Sequence, residues 1–396
     1  MIKLKSIGSV LIITGTAIGA GMLAIPIVTA ALGFWGAVVL LFACWALMTY
    51  TALLVLETNL FFGVGSSFHS MAKYTLGKKG QFLTWISFLL LLYALDAAYM
   101  SGGSSLLDTA FYLIEGEHLQ PWVNTLIFTG VLGGVVVWGM HAVDRFNRFL
   151  MFLKALTFLL LLILVMPHVH MHLLAQNPVS RNAWWLAIPI LITSFGFHIV
   201  IPSVQDYIGN FPERLRKIVL IGSTIPLIVY LLWVFATLGV IPRHGPNSFT
   251  SIEHNDVGDM VLVLRGLLHS SWVSFFVNCF TDIAVTTSFL GVSISLFDFM
   301  ADGFKLNKKK VVDRGIITLL TFVIPLLFAL FYPHGFVMAL GYASIFVAIL
   351  LIILPALMVR SLRKLYPLSY SVVGGSFALW IVMLLGVGVI ITEFWH

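Results

Sequence analysis

Long apolar runs separated by short polar stretches fill this sequence from beginning to end. Eleven runs are long enough to cross the hydrocarbon core of a bilayer as helices, which requires about 20 apolar residues each. Their predicted bounds are 7–32, 36–62, 81–111, 122–140, 148–167, 183–210, 216–240, 271–303, 315–331, 335–360 and 372–394. Because the polar stretches are short, the pattern predicts a single membrane domain over residues 1–396.

The first apolar run contains three closely spaced glycines, Gly15, Gly19 and Gly21. Each glycine inside a helix costs roughly 1 kcal/mol relative to alanine, so a straight helix is not expected here. Backbone groups that leave a helix at mid-membrane must line a cavity or meet a ligand. The alternative is that Gly15 and Gly19, four residues apart, form a small-residue face for helix packing.

The sixth run repeats this irregularity, because Pro189, Gly196 and Pro202 interrupt otherwise apolar sequence. The first and sixth runs would enter the membrane from opposite sides, five helices apart. Two interrupted helices at corresponding positions of two inverted halves indicate a transporter whose substrate binds near the membrane midplane. We therefore predict an all-α polytopic protein built from two inverted halves.

The composition supports a membrane protein. Hydrophobic residues make up 60% of the chain and charged residues only 10%, and the mean hydropathy is +1.03, which excludes a soluble domain. The formal charge of +6 does not indicate a nucleic-acid partner, since the basic residues form short clusters between apolar runs. Cys44 and Cys279 lie inside apolar runs and predict no disulfide framework.

Lysines and arginines are concentrated in alternate polar stretches. With the N-terminus in the cytoplasm, most of the 22 fall in inside stretches such as 73–79 and 305–310. The outside stretches then hold Arg181, Arg243 and Arg265. The positive-inside rule therefore predicts a cytoplasmic N-terminus and a periplasmic C-terminus.

Five segments carry a resemblance to a known family. They are GTAIGAGMLAIP (15–26), SFGFH with the following PS (194–203), TSFLGV (287–292), LFDFMAD (296–302) and FYPHGFVMALGYA (331–343). Through them the chain resembles the bacterial hydroxy and aromatic amino acid permeases, most of all their tyrosine-specific members. The resemblance covers essentially the whole chain. It implies the leucine-transporter fold, with two inverted five-helix repeats, 7–167 and 183–360, in which helices 1 and 6 are broken, and with 372–394 as an extra eleventh helix.

The resemblance also implies proton-driven import of an amino acid across the bacterial inner membrane, with tyrosine first and tryptophan or phenylalanine behind. Unwound backbone at 19–21 can aim N–H groups at the substrate carboxylate, and carbonyls near Ala17 and 193–195 can accept from its ammonium. The predicted substrate-binding residues are Thr16, Ala17, Gly19, Ala20, Gly21, Met22, Tyr93, Asp96, Tyr99, Thr193, Ser194, Phe195, Gly196 and Phe197.

Asp96 departs from the family, since the resemblance places a threonine at this position. A carboxylate at mid-membrane needs a partner or a water-filled cavity, so Asp96 bears on both the substrate and the proton path. His198 is interpreted either as a ligand contact or proton carrier, or as a histidine satisfied by a neighbouring helix, and the second is favoured. Glu57 and Asp282 lie toward the ends of their runs, where gating or structural pairing is expected.

Lys154 lies inside the fifth run and is the predicted coupling residue. In sodium-coupled proteins of the implied fold, an ion lies between the first helix break and an A-x-x-T-S stretch on the eighth helix. A lysine from the fifth helix can place its ammonium there, and burial disfavours its charged form, so proton loss becomes feasible. The alternative is that Lys154 snorkels to the interface. The predicted coupling site comprises Lys154, Gly15, Ile18, Ala284, Thr287 and Ser288.

Other function classes fit the sequence less well. An intramembrane enzyme is disfavoured because the sequence has no HExxH motif and Asp96 and Asp282 lack a membrane-protease context. A channel does not need two broken helices, and a sensor would carry an output domain. A sodium-coupled permease, or one that prefers tryptophan or phenylalanine, remains an alternative. The expected partners are an aromatic amino acid, a proton and the lipid bilayer, with no cofactor, metal, nucleic acid or obligate protein partner.

Overall fold

The computed structural model describes residues 2–138, 140–176, 183–252, 256–308, 310–367 and 370–394, and in these ranges all regular structure is helical. Arg181 and Lys309, which entered the charge argument, lie outside them. The helices are α1 (Ile2–Ala17), α2 (Gly21–Thr29), α3 (Gly33–Phe62), α4 (Phe68–Glu115), α5 (Pro121–Trp138), α6 (Met140–Val165), α7 (Met171–Leu174), α8 (Ala183–Ser194), α9 (Ile201–Ile208), α10 (Pro212–Val240), α11 (Val257–Leu268), α12 (Ser271–Gly303), α13 (Val311–Phe331), α14 (Phe336–Val347), α15 (Leu354–Leu365) and α16 (Gly375–Phe394).

Ten helical segments of the described chain are long and apolar enough to cross a membrane. A further apolar helix, Lys5–Ala17, is shorter than a full span, because the predicted first run is divided into α1 and α2. The all-helical polytopic architecture is confirmed. The count of eleven spans and the inverted repeat stay predictions.

Helix boundaries follow local backbone chemistry at several positions. Gly33 begins α3 with φ +72°, a conformation that favours glycine, so the turn of 3₁₀ helix at Ala30–Leu32 ends there. Gly77, with φ +70°, divides α4 into a short first helix and a long second one. The predicted third run therefore corresponds to the second part of α4, and the polar stretch before it also contains helix.

The two interrupted helices lie at the centre of the protein. Every residue of α2 is buried, and α2 packs against α8. Around this pair, α12 packs against α4 and α6, and α14 packs against α4 and α8. By contrast, α5, α13 and α16 expose many large apolar side chains, as expected of helices that face lipid.

One buried ion pair ties three distant parts of the chain together. The Glu57 carboxylate on α3 accepts two hydrogen bonds from Arg363 on α15, both 2.7 Å long. It also accepts from the backbone N–H of Val372, at 2.7 Å, just before α16. The side chain of Glu57 is fully buried, and breaking such a pair by removing one partner costs about 3–5 kcal/mol. The structural pairing expected for Glu57 is confirmed.

Candidate substrate and ion site

The first helix break lies where the glycine cluster predicted it, between the end of α1 at Ala17 and the start of α2 at Gly21. Local backbone hydrogen bonds close it, among them those from the N–H of Gly19 to the carbonyl of Ala17 at 2.8 Å and from the N–H of Met22 to the carbonyl of Gly19 at 3.3 Å. The N–H of Ala20 donates to the Ser288 hydroxyl on α12, at 2.8 Å. A side chain from another helix therefore satisfies a backbone group that the break has released.

Lys154 reaches the same break from α6. Its Nζ donates to the carbonyl oxygen of Ile18 at 2.8 Å and lies 3.4 Å from the hydroxyl of Thr287 on α12. Only 5% of the residue is exposed, so Lys154 does not snorkel to an interface. Within the described residues no carboxylate forms an ion pair with this ammonium. A cation is thus held between the first break and α12 by neutral dipoles.

The remaining residues of the predicted coupling site surround this contact. The Thr287 hydroxyl donates to the carbonyl of Ala284 at 3.1 Å, which leaves its lone pairs available to Lys154. Gly15 faces α6, since a Cβ there would lie 3.0 Å from the side chain of Met151, one turn before Lys154. The structure therefore brings the predicted set together around Lys154.

The second break follows the end of α8 at Ser194 and precedes α9. Short turns within the segment bond most of its released groups: Gly196 N–H donates to Thr193 O at 3.1 Å, and Phe197 N–H to Phe195 O at 3.0 Å. The Thr193 hydroxyl donates to the carbonyl of Leu340 on α14, at 3.3 Å. The predicted interruption is present at Gly196, whereas Pro189 lies inside α8 and Pro202 in the first turn of α9.

The two breaks touch each other. A Cβ at Gly21 would lie 3.0 Å from the hydroxyl of Ser194, so the missing side chain permits this close approach. Tyr230 on α10 joins both breaks, because its hydroxyl lies 2.6 Å from Ala17 O and 2.9 Å from Ser194 O. Tyr230 was missed by the sequence analysis. The available signal was a lone tyrosine in a long apolar run, whose buried hydroxyl requires a partner.

The polar residues of the predicted third run divide into two groups. The side chain of Tyr99 on α4 lies near that of Ser288 and so faces the first break. One turn away, fully buried Asp96 accepts from Ser293 on α12 at 2.6 Å, and its second oxygen has no partner among the described residues. The hydroxyl of Tyr93 instead donates to Leu320 O on α13, at 2.6 Å, away from the breaks.

Other predicted residues have varied surroundings. Thr16 is exposed on α1, where its hydroxyl bonds the carbonyl of Ile12, and is not brought to the breaks. Met22 and Phe197 are fully buried. His198 Nε2 lies 2.8 Å from the Thr51 hydroxyl on α3, so a neighbouring helix partners one ring nitrogen, while Nδ1 is buried without a partner among the described residues.

A surface cavity of about 510 Å³ lies elsewhere, between the end of α4 and the α11–α12 junction. Its lining includes Ile114, Arg265 and Phe275 and none of the predicted site residues. The candidate site is therefore identified by the backbone groups and side chains at the breaks. It does not coincide with this cavity.

Comparison with known proteins decides the family. The model of the tryptophan/tyrosine permease family matches residues 3–393. The chain belongs to this family. The permease is 37% identical to Tyrosine-specific transport system 1 of Haemophilus influenzae, over 97% of this chain and 95% of the relative.

Two further relatives come from the same organism. The permease is 38% identical to Tyrosine-specific transport system 2, over 100% of this chain and 97% of the relative. It is 36% identical to the Tryptophan-specific transport protein, over 98% and 96%. The permease is therefore a multi-pass membrane transport protein of the aromatic amino acid class, and not an enzyme.

Proposed function

We propose that this permease imports an aromatic amino acid, tyrosine first, together with a proton, by alternating access across the bacterial inner membrane. The observation that carries the proposal is the position of Lys154, whose ammonium bonds the carbonyl of Ile18 beside Thr287. The relatives named for tyrosine and tryptophan transport support the substrate class.

The substrate backbone binds at the two breaks. Gly21 begins α2, so its N–H is among those that a helix cannot pair internally, and the positive end of the helix favours a carboxylate. The carbonyls of Ala17 and Ser194 accept from the ammonium. The aromatic side chain then extends toward Phe195, Tyr99 and Asp96, where the unpartnered oxygen of Asp96 can bond a phenolic hydroxyl.

Lys154 couples the proton to this site. Protonated, it ties the first break to α12 and holds the outward-facing state, and loss of its proton to the cytoplasm releases that tie. Each positive charge that moves inward gains roughly 2.3 kcal/mol per 100 mV of membrane potential. A sodium ion at the same place would meet the lysine ammonium at close range, which favours the proton as the coupling ion.

Uptake of labelled tyrosine tests the proposal. We expect concentrative uptake that a protonophore abolishes and that continues when sodium is replaced by choline. Unlabelled tryptophan and phenylalanine should compete, whereas serine and glutamine should compete much less. A strict sodium requirement, or stronger competition by serine than by every aromatic amino acid, would overturn the coupling or the substrate assignment respectively.

The orientation is part of the same proposal. A reporter fused after Glu393 should be active on the periplasmic side, and one inserted within 305–310 on the cytoplasmic side. A cytoplasmic signal from the Glu393 fusion would overturn the proposed topology.

A further inference from the structure

Tyr230 holds both helix breaks with a single hydroxyl group. The residue is fully buried on α10, and its ring lies edge-to-face against Phe195 with ring centroids 5.1 Å apart. Its hydroxyl oxygen is 2.6 Å from Ala17 O on one break and 2.9 Å from Ser194 O on the other. Both distances are within the normal range for O–H···O hydrogen bonds.

The Tyr230 hydroxyl and the two carbonyls that it contacts have more hydrogen-bond acceptors than donors. A phenol has one O–H, so it can satisfy one of the two carbonyls fully or both incompletely. Ala17 O also receives the N–H of Gly19, whereas the described residues give Ser194 O no donor besides Tyr230. The phenol oxygen keeps lone pairs of its own. The carbonyl oxygens of Ala17 and Ser194 and the phenol oxygen of Tyr230 therefore lie close together. The only O–H among them is that of Tyr230, and the N–H of Gly19 donates to Ala17 O from the side.

A group with several N–H donors completes this arrangement. An ammonium carries three donors and no acceptor, and the desolvation cost of burying it is offset only where oxygens surround it. A hydroxyl in the same place supplies one donor and brings lone pairs of its own. The three oxygens therefore favour an ammonium over a neutral hydroxyl.

We propose that Tyr230 determines specificity for the α-amino group of the substrate, by fixing the spacing of the Ala17 and Ser194 carbonyls and accepting one ammonium N–H itself. The inference rests on the proposed function, because it takes an amino acid as the ligand of the two breaks. It adds a residue from α10, outside both broken helices, to the recognition of the ammonium.

The position of Tyr230 also relates the substrate to the coupling residue. The carbonyl of Ala17 is held by Tyr230, and the next carbonyl in the chain, that of Ile18, is held by Lys154. The substrate ammonium and the lysine ammonium thus use neighbouring carbonyls of one break. If these peptide groups rotate when substrate binds, the hydrogen bond between Lys154 and the carbonyl of Ile18 changes with them.

Competition between an amino acid and its α-hydroxy analogue tests the proposal. Tyrosine and 4-hydroxyphenyllactate differ in having an ammonium or a hydroxyl at the α-carbon. We expect the wild-type protein, purified in detergent, to bind tyrosine far more tightly than 4-hydroxyphenyllactate. In Tyr230→Phe, the ratio of the two dissociation constants should shrink by about tenfold, because the variant loses a hydrogen bond to a charged group only when tyrosine is bound.

Tyr50→Phe is the matched control. It also removes a tyrosine hydroxyl that donates to a backbone carbonyl, that of Val373 at 2.8 Å, but on a loop far along the chain from either break. Its ratio of dissociation constants should equal that of the wild type. Equal weakening of both ligands in Tyr230→Phe would show a purely structural role and overturn the proposal.

Two further outcomes keep the test decisive. If Tyr230→Phe does not fold, the wild-type comparison alone decides, because equal affinity for tyrosine and 4-hydroxyphenyllactate contradicts an ammonium-selective site. If the wild type accumulates a different amino acid, the proposed preference for tyrosine fails. The Tyr230 test is then run unchanged with that amino acid and its α-hydroxy analogue, since the ammonium is common to all amino acids.

Discussion

The two helix breaks differ in what holds them in shape. The first break has short backbone turns of its own, and in addition side chains from α6, α10 and α12 bond its released groups, through Lys154, Tyr230 and Ser288 respectively. The second break relies mainly on turns within its own backbone, with one hydroxyl bond to α14 through Thr193. Tyr230 bonds a backbone carbonyl of each break.

This difference gives the two breaks different roles: the first is a responsive break, whose shape can change, and the second is a reference break, whose shape stays fixed. A backbone segment held by side chains of other helices changes when one of those side chains loses a proton or rotates. A segment held by its own short turns keeps its shape until the turns themselves open. We therefore infer that the first break carries the coupling, and that the second provides a steady surface against which substrate and first break are positioned.

The largest expected effect comes from closing the gap between the breaks. Gly21→Leu should reduce tyrosine uptake to background, because even a Cβ there meets the Ser194 hydroxyl at 3.0 Å. Uptake is measured at matched protein levels in the membrane, with a monodisperse gel-filtration profile to show folding. Gly130→Leu on α5, where a Cβ meets nothing within 4 Å, is the control and should transport normally. Normal uptake by Gly21→Leu would contradict the placement of the substrate carboxylate.

Two substitutions of Lys154 distinguish loss of its contact with the first break from a contact that cannot be released. Lys154→Ala should lose proton-driven accumulation while keeping exchange of tyrosine across the membrane. Lys154→Arg should lose both, because arginine cannot give up its proton and leaves the tie permanently closed. Accumulation and exchange are measured in proteoliposomes with an imposed pH gradient, and exposed Lys217→Ala on α10 serves as control. Accumulation by Lys154→Ala that still follows the pH gradient would contradict the mechanism.

Single hydroxyl deletions compare the two breaks directly. Ser288→Ala leaves the buried N–H of Ala20 without its partner, and an unsatisfied buried donor costs about 1–3 kcal/mol, so kcat/KM should fall by about tenfold. Thr193→Val removes a longer bond, 3.3 Å, and should lower kcat/KM by only about twofold. Initial rates of tyrosine uptake over a range of concentrations provide both values. Equal losses, or a greater loss in Thr193→Val, would reverse the assignment of responsive and reference breaks.

The smallest effect concerns the support of the second break. Thr193 bonds α14, and just before α14 His334 forms an ion pair with the Asp256 carboxylate at the start of α11. The hydrogen bond from His334 to Asp256, together with the charges of Asp256, Asp259 and Asp108, raises the pKa of His334. Partial burial opposes this effect. The pair therefore stabilises the protein at acidic pH and ceases to do so as pH rises through the raised pKa.

The difference in melting temperature between wild type and His334→Asn measures this effect. It should be greatest below about pH 6.5, the ordinary pKa of histidine, and disappear at higher pH. His118→Asn, which removes an exposed histidine bonded to Asp108, is the comparison variant. A difference that grows with rising pH would contradict a stabilising role for protonated His334.

Much of the site follows from local sequence. Single glycines and prolines are tolerated inside helices here, as Pro226 in α10 and Pro325 in α13 show, whereas the clustered Gly19 and Gly21 and the isolated Gly196 do mark the two breaks. The contact of Lys154 with Ile18 and Thr287 was expected from the family resemblance, and the structure has it. Alternation of basic and apolar stretches predicted the membrane architecture, although the first span is divided into helices too short to count individually.

The sequence does not predict which side chains from distant helices become hydrogen-bond partners at the site. Nothing near Asp96 points to Ser293, and nothing near Ala17 points to Tyr230, which lies 213 residues further along the chain. Apolar helices have similar composition on every face, so periodicity does not show which hydroxyl turns inward. The exposed position of Thr16 was missed for the same reason.

The ion pair of Glu57 has a consequence for how the protein is made. Its carboxylate enters the membrane with α3, and its partner Arg363 follows 306 residues later. At roughly 5–20 residues synthesised per second, the interval is on the order of 15–60 s. Throughout that time Glu57 on α3 is without the cation that it pairs with in the finished protein. The last helices of the chain therefore complete the electrostatic environment of one of the first.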